Sequence, residues 1–157
     1  MSLSIEPQQW HLLDGIPDPD EISQILERLL DRLGNSDDFE MSVRLVDETE
    51  GAELNHQYRQ KVGATNILSF PYEPLPGIEL PLLGDLVICA PIVHSEAIEQ
   101  NKTIREHFIH LMIHGTLHLL GYDHLTEQEA EEMEQIEIQA LELEGVSNPY
   151  EAIDPGQ

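Results

Sequence analysis

The 157-residue chain carries 7 Lys and Arg against 31 Asp and Glu, a formal charge of −24, and 40% of its residues are hydrophobic. That length fits one domain whose core buries roughly two-thirds of the unfolded surface. The charge balance excludes an extended basic groove for nucleic acid, which needs clustered Lys and Arg to displace counterions, and no apolar run reaches the ~18–20 residues of a membrane span.

The first fourteen residues lack the basic and apolar regions of a signal peptide. Cys89 is the single cysteine, so no disulfide framework is expected and a reducing, cytoplasmic setting is the simplest home. Residues 3–13 read as an edge strand ended by Asp14-Gly15. Pro19-Asp20-Glu21 opens a helix in which Ile22, Ile25, Leu26, Leu29, Leu30 and Leu33 recur at helical spacing, closed by Gly34-Asn35. Alternation from Met41 to Val46 predicts a strand, and Asp47 caps a second helix reaching Tyr58 with Gly51 inside it. NILSF (66–70) is a short strand before Pro71, followed by a Pro- and Gly-rich loop over 72–82. Residues 85–90 form a buried strand, and Pro91 opens a helix from Ile92 to about Gln100.

A further helix spans roughly 103–120 and ends at Gly121. The last helix, about 126–144, starts on Thr126 with Glu129 in the capping-box position and stops at Gly145; the tail after Pro149 is expected to be loose. The fold class expected is α+β: a single domain over 1–157, its mixed β-sheet flanked by helices.

The segment HLMIHGTLHLLGYDH (110–124) carries the strongest chemistry. His114 and His118, four apart on a helix, project from one face, and Gly121 lets the chain turn so that His124 returns to the same point. Three imidazoles at this spacing predict a metal site on a central buried helix and the turn after it. An open fourth position suits catalytic zinc, although nickel or copper would bind such a set too. The spacing is that of the metzincin zinc motif, with Gly115 where that motif has its general-base glutamate. His107 and His110 extend the stripe either as packing residues or as contacts to ligands or substrate. Asp123 either orients a ligand or forms the turn.

The segment LNHQYRQKVGATNILSFP (54–71) contains Arg59 and Lys61 and no acid. Arg59 could grip a phosphate; the alternative is a cation complementing a helix C-terminus. Cys89 reads as packing, and Asp85 either as a turn residue or as a group aimed at the site. The eight glutamates of 127–144 read as a solvated face opposite Ala130, Met133, Ile136, Ile138, Ala140, Leu141 and Leu143.

With LNHQYRQKVGATNILSFP, LLGDLVI (82–88) and HGTLHLLGYDH (114–124) in this order and spacing, the chain resembles the bacterial YbeY family of rRNA-maturation endoribonucleases over essentially its whole length. The resemblance implies a small mixed sheet flanked by helices, with zinc held by His114, His118 and His124. It implies Arg59 and His114 as functional residues facing the reaction. It also implies a single-strand-specific endoribonuclease acting in maturation of the 16S rRNA 3′ end and in ribosome quality control. Its partners would be single-stranded rRNA, the small ribosomal subunit and assembly factors, with no DNA expected.

Two other readings use the same residues. One is a zinc hydrolase of another substrate, a peptidase included, against which Gly115 counts. The other is a non-catalytic assembly factor with structural zinc. Charge is unevenly placed: 107–122 holds no acid, Lys or Arg, so a local positive focus on an acidic body could admit phosphate.

Overall fold

The computed structural model describes residues 2–78 and 80–150. Its four-stranded sheet has the order β1-β2-β4-β3, formed by β1 (Leu3–Gln8), β2 (Phe39–Val46), β3 (Ile67–Pro71) and β4 (Leu82–Cys89). The first three in space run parallel and β3 pairs antiparallel on the far edge of β4. The sheet is therefore mixed, and the α+β assignment holds. The parallel pair β1–β2 requires a crossover, which α1 (Pro19–Arg32) supplies. Its Asp18 cap accepts from the Glu21 amide at 2.8 Å.

The remaining helices are α2 (Glu48–Arg59), α3 (Ala90–Glu99), α4 (Ile104–Leu119) and α5 (Glu127–Leu143). The opening segment is a strand only to Gln8; Gln9 takes a left-handed φ of 56° and a 3-10 turn follows at Trp10–Leu12. β4 begins earlier than its apolar run suggests, because Gly84 continues the strand at φ 146° where a Cβ would collide with the Phe70 carbonyl. α3 includes Pro91 in its first turn, where a missing N–H costs nothing. Tyr150 is held rather than loose, and the rest of the expected tail, 151–157, lies outside the described residues.

α4 is the central element. Thr103 and Glu106 form a full capping box at its start, and Phe108, Ile109, Met112, Ile113 and Leu117 are at most 1% exposed. They pack into one continuous core with α1, β2, β4 and α5. Gly115 lets α4 lie hard against the sheet: a Cβ there would sit 2.7 Å from Cδ1 of Ile67 and 2.8 Å from Cδ2 of Leu86. Leu143 does not pack inward; it is 57% exposed, because the buried stripe of α5 is Met133, Glu137, Ala140 and Leu141.

Candidate metal centre

Three histidines meet where α4 ends. His114 and His118 lie one turn apart, and Gly121, at φ 101°, turns the chain so that His124 comes back to them. One ring nitrogen from each lies within 4.8 Å of the other two, and Nε2 of His114 is 3.1 Å from Nε2 of His118. Asp123 shapes the turn by accepting from the His124 amide at 2.8 Å, and it also lines the cleft.

The tautomer of His114 is fixed by a residue on α5. Glu137, fully buried, lies with Oε1 2.6 Å from Nδ1 of His114, and a carboxylate only accepts. The His114 proton therefore sits on Nδ1 and its Nε2 offers a lone pair to the cluster. Burial by itself pushes the Glu137 carboxyl up, but bonding from His110 and His114 and from the Tyr150 hydroxyl outweighs it and holds the group at about 2. Tyr150 donates to Oε2 at 2.5 Å, and His110 approaches Oε1 at 3.6 Å. Burial, followed by the charges of His114 and His124, holds His118 below its usual value, which keeps its imidazole neutral and able to coordinate. A convergent imidazole set with a buried carboxylate behind one ring fits a divalent cation such as zinc.

Glu137 overturns the reading of the α5 glutamates as a uniformly solvated face. The signal was present in the sequence: position 137 falls at i+4 from Met133 and four before Leu141, on the apolar stripe. An acid on that stripe must find a partner in the core.

The cleft in front of the cluster has a volume of about 670 Å³ and is also lined by Asn55, Arg59, Lys61, Thr65, Asn66 and Ser69. Arg59 is the last residue of α2, so it is both a helix-end cation and a cleft residue. Its Nη2 donates to the Ser69 carbonyl at 2.7 Å and its guanidinium lies 5.4 Å from the Phe70 ring centre. Asn55, buried, donates to the Gly63 carbonyl at 2.8 Å and so shapes the loop between Arg59 and β3.

Other candidates fall elsewhere. His107 is bonded to Glu96 at 3.0 Å, away from the cluster. Asp85 lies within β4, accepts from the Ser42 hydroxyl and lines a different recess on the sheet, so it is neither a turn residue nor aimed at the histidines. Cys89 is buried, with its thiol pushed up by burial, as expected of packing.

An α+β fold with three histidines converging on a cleft defines a candidate metal-dependent hydrolase. Residues 10–144 match the family described as Endoribonuclease YbeY, and the chain belongs to that family. It is also similar to the solution structure of TM1509 from Thermotoga maritima, with 29% sequence identity and a TM-score of 0.56, covering 98% of this chain and 99% of that one. Family membership supports an endoribonuclease role in rRNA processing. Among the described residues, no helix is long and apolar enough to cross a membrane.

Proposed function

We infer that the protein is a zinc-dependent, single-strand-specific endoribonuclease acting in 16S rRNA 3′-end maturation, ribosome assembly and quality control. The observation that carries this reading is the convergence of His114, His118 and His124 beside Arg59 in one cleft, in a chain of an endoribonuclease family. His114, His118 and His124 are the residues that would hold the ion. Zinc at such a site supplies Lewis-acid polarisation of a phosphoryl oxygen and lowers the pKa of water there.

This chain's own groups do the rest. Glu137 keeps the His114 proton on Nδ1, leaving Nε2 free to coordinate. Arg59, steadied by the Ser69 carbonyl, presents fixed positive charge to a phosphodiester in the cleft and offsets the negative charge that develops as the bond breaks. His114 is thus both ligand and catalytic residue in this reading. Substrate enters as a single strand in the cytoplasm, and the strongly acidic body repels RNA outside the cleft, so the small ribosomal subunit and its assembly factors present it. The domain is assigned to the whole chain, 1–157.

Cleavage of single-stranded and duplex RNA by wild type, His114→Ala and Arg59→Ala tests the reading, with casein as the competing substrate. The expected result is metal-dependent cutting of the single strand only, abolished in both variants. Unchanged RNA cleavage by His114→Ala would overturn it, and casein hydrolysis without RNA cleavage would favour a peptidase. The end groups then identify the nucleophile: a 2′,3′-cyclic phosphate indicates the ribose hydroxyl, and a simple phosphate indicates water.

A further inference from the structure

Seven Lys and Arg serve this acidic chain, and their partners divide them. Arg28, Arg44 and Arg105 pair with Glu144, Glu50 and Glu21, and Arg32 donates to the Gln139 side chain. Among the described residues this leaves Arg59, Lys61 and Lys102 with no carboxylate or amide side chain to hold them. Arg59 and Lys61 line the cleft of the histidine cluster. Lys102 lines a second recess of about 280 Å³, whose wall includes Asn66, Gln100, His107, His110 and His114.

Asn66 and His114 belong to both spaces, so the recess adjoins the cleft across the metal centre. No Asp or Glu is among its lining residues, in a chain with 31 of them. Lys102 is half-buried, and burial lowers its ammonium pKa against the pull of Glu106 and Glu96. A partly desolvated ammonium without an ion pair, set among imidazoles, favours an anion able to accept hydrogen bonds. The recess, at about 280 Å³, has room for a phosphate group and not for a duplex.

We propose that this recess receives the phosphate of the nucleotide next to the scissile phosphodiester, with Lys102 as its cationic contact. A bound strand then runs from Lys61, past the histidine cluster, to Lys102. The assignment rests on the RNA reading above and extends it by giving the strand a direction across the protein.

The test is binding of a fluorescein-labelled 2′-O-methyl tetranucleotide, confirmed intact after each titration, by anisotropy over a range of salt with wild type, Lys102→Gln, Lys102→Arg and Arg32→Gln. One single-strand phosphate contact contributes about 0.7 to the slope of log K against log salt. Lys102→Gln is expected to flatten the slope by about that amount and weaken binding, Lys102→Arg to retain the slope, and Arg32→Gln to match wild type. Equal slopes for wild type and Lys102→Gln overturn the proposal, as does equal flattening by Arg32→Gln, which would signal bulk charge alone.

Turnover supplies a second arm. Lys102→Gln should raise KM for a tetranucleotide severalfold yet leave cleavage of bis(p-nitrophenyl) phosphate, which has no neighbouring phosphate, at the wild-type rate; equal losses on both overturn the assignment. A wild type that shows the Lys102-dependent slope but cuts no RNA would sink the endoribonuclease reading and leave Lys102 as a phosphate contact without a scissile bond beside it.

Discussion

Glu137 Oε1 lies 2.6 Å from His114 Nδ1, which ties the candidate metal centre to the last helix of the fold. The bond makes Glu137 a positioning residue whose effect is transmitted through one imidazole. Replacing it by glutamine keeps the shape but allows the amide to donate, so the His114 proton can move to the nitrogen that should coordinate. Glu137→Gln is expected to weaken zinc binding about 10–100-fold, read by competition with a chromophoric chelator, while circular dichroism stays that of wild type. Wild-type zinc affinity in this variant would remove Glu137 from the site.

Zinc should also stabilise the fold by mass action. At 100 times its Kd, a ligand that binds only the folded state contributes about 2.7 kcal/mol, which for a domain of this size raises Tm by about 5–10 °C. His114→Ala should lose most of that increment in calorimetry with and without excess zinc. An equal shift in the variant would mean that the ion binds elsewhere.

Gly115 occupies the place that the metzincin motif gives to glutamate, and the packing of α4 explains why. Ile67 and Leu86 fill the space that any side chain would need. Gly115→Glu should therefore lower stability by about 3 kcal/mol or more, combining overpacking with a buried charge, and confer no casein hydrolysis. A urea midpoint equal to wild type would show that the helix and sheet are less closely packed than described.

His107 makes stability fall in mild acid. Burial holds its pKa below the ordinary 6.5, with Lys102 acting the same way and Glu96 opposing. The unfolded chain therefore binds a proton there that the folded chain refuses, so the contribution is complete above about pH 6.5 and shrinks as pH falls below it. His107→Gln, which can still bond Glu96, should show a smaller drop in Tm between pH 7.5 and 5.5 than wild type, both metal-free. Identical drops would place the acid sensitivity in other groups.

What could be read in the sequence was mostly what is local. The i, i+4 spacing of His114 and His118, the turn at Gly121, and the caps at Asp47 and Thr126 are decided within a few residues, and each stands where it was expected. The order of the sheet is not local: β3 joins the far edge of β4 antiparallel, which no periodicity in 66–70 announces. Asp85 was undecidable because its partner, Ser42, is 43 residues away. Glu137 was missed for a different reason. Seven other glutamates around it, most of them exposed, hid the one that lies on the apolar stripe, and composition prevailed over position.

Tyr150 gives the order of synthesis a chemical meaning. The three candidate ligand histidines are complete by residue 124, yet the phenol that completes the hydrogen bonding of Glu137 is added 26 residues later. A nascent chain stopped between these points carries all three histidines but lacks the hydroxyl that steadies the carboxylate behind His114. The candidate metal centre thus reaches its finished form only after the chain has extended 26 residues past the last of these histidines.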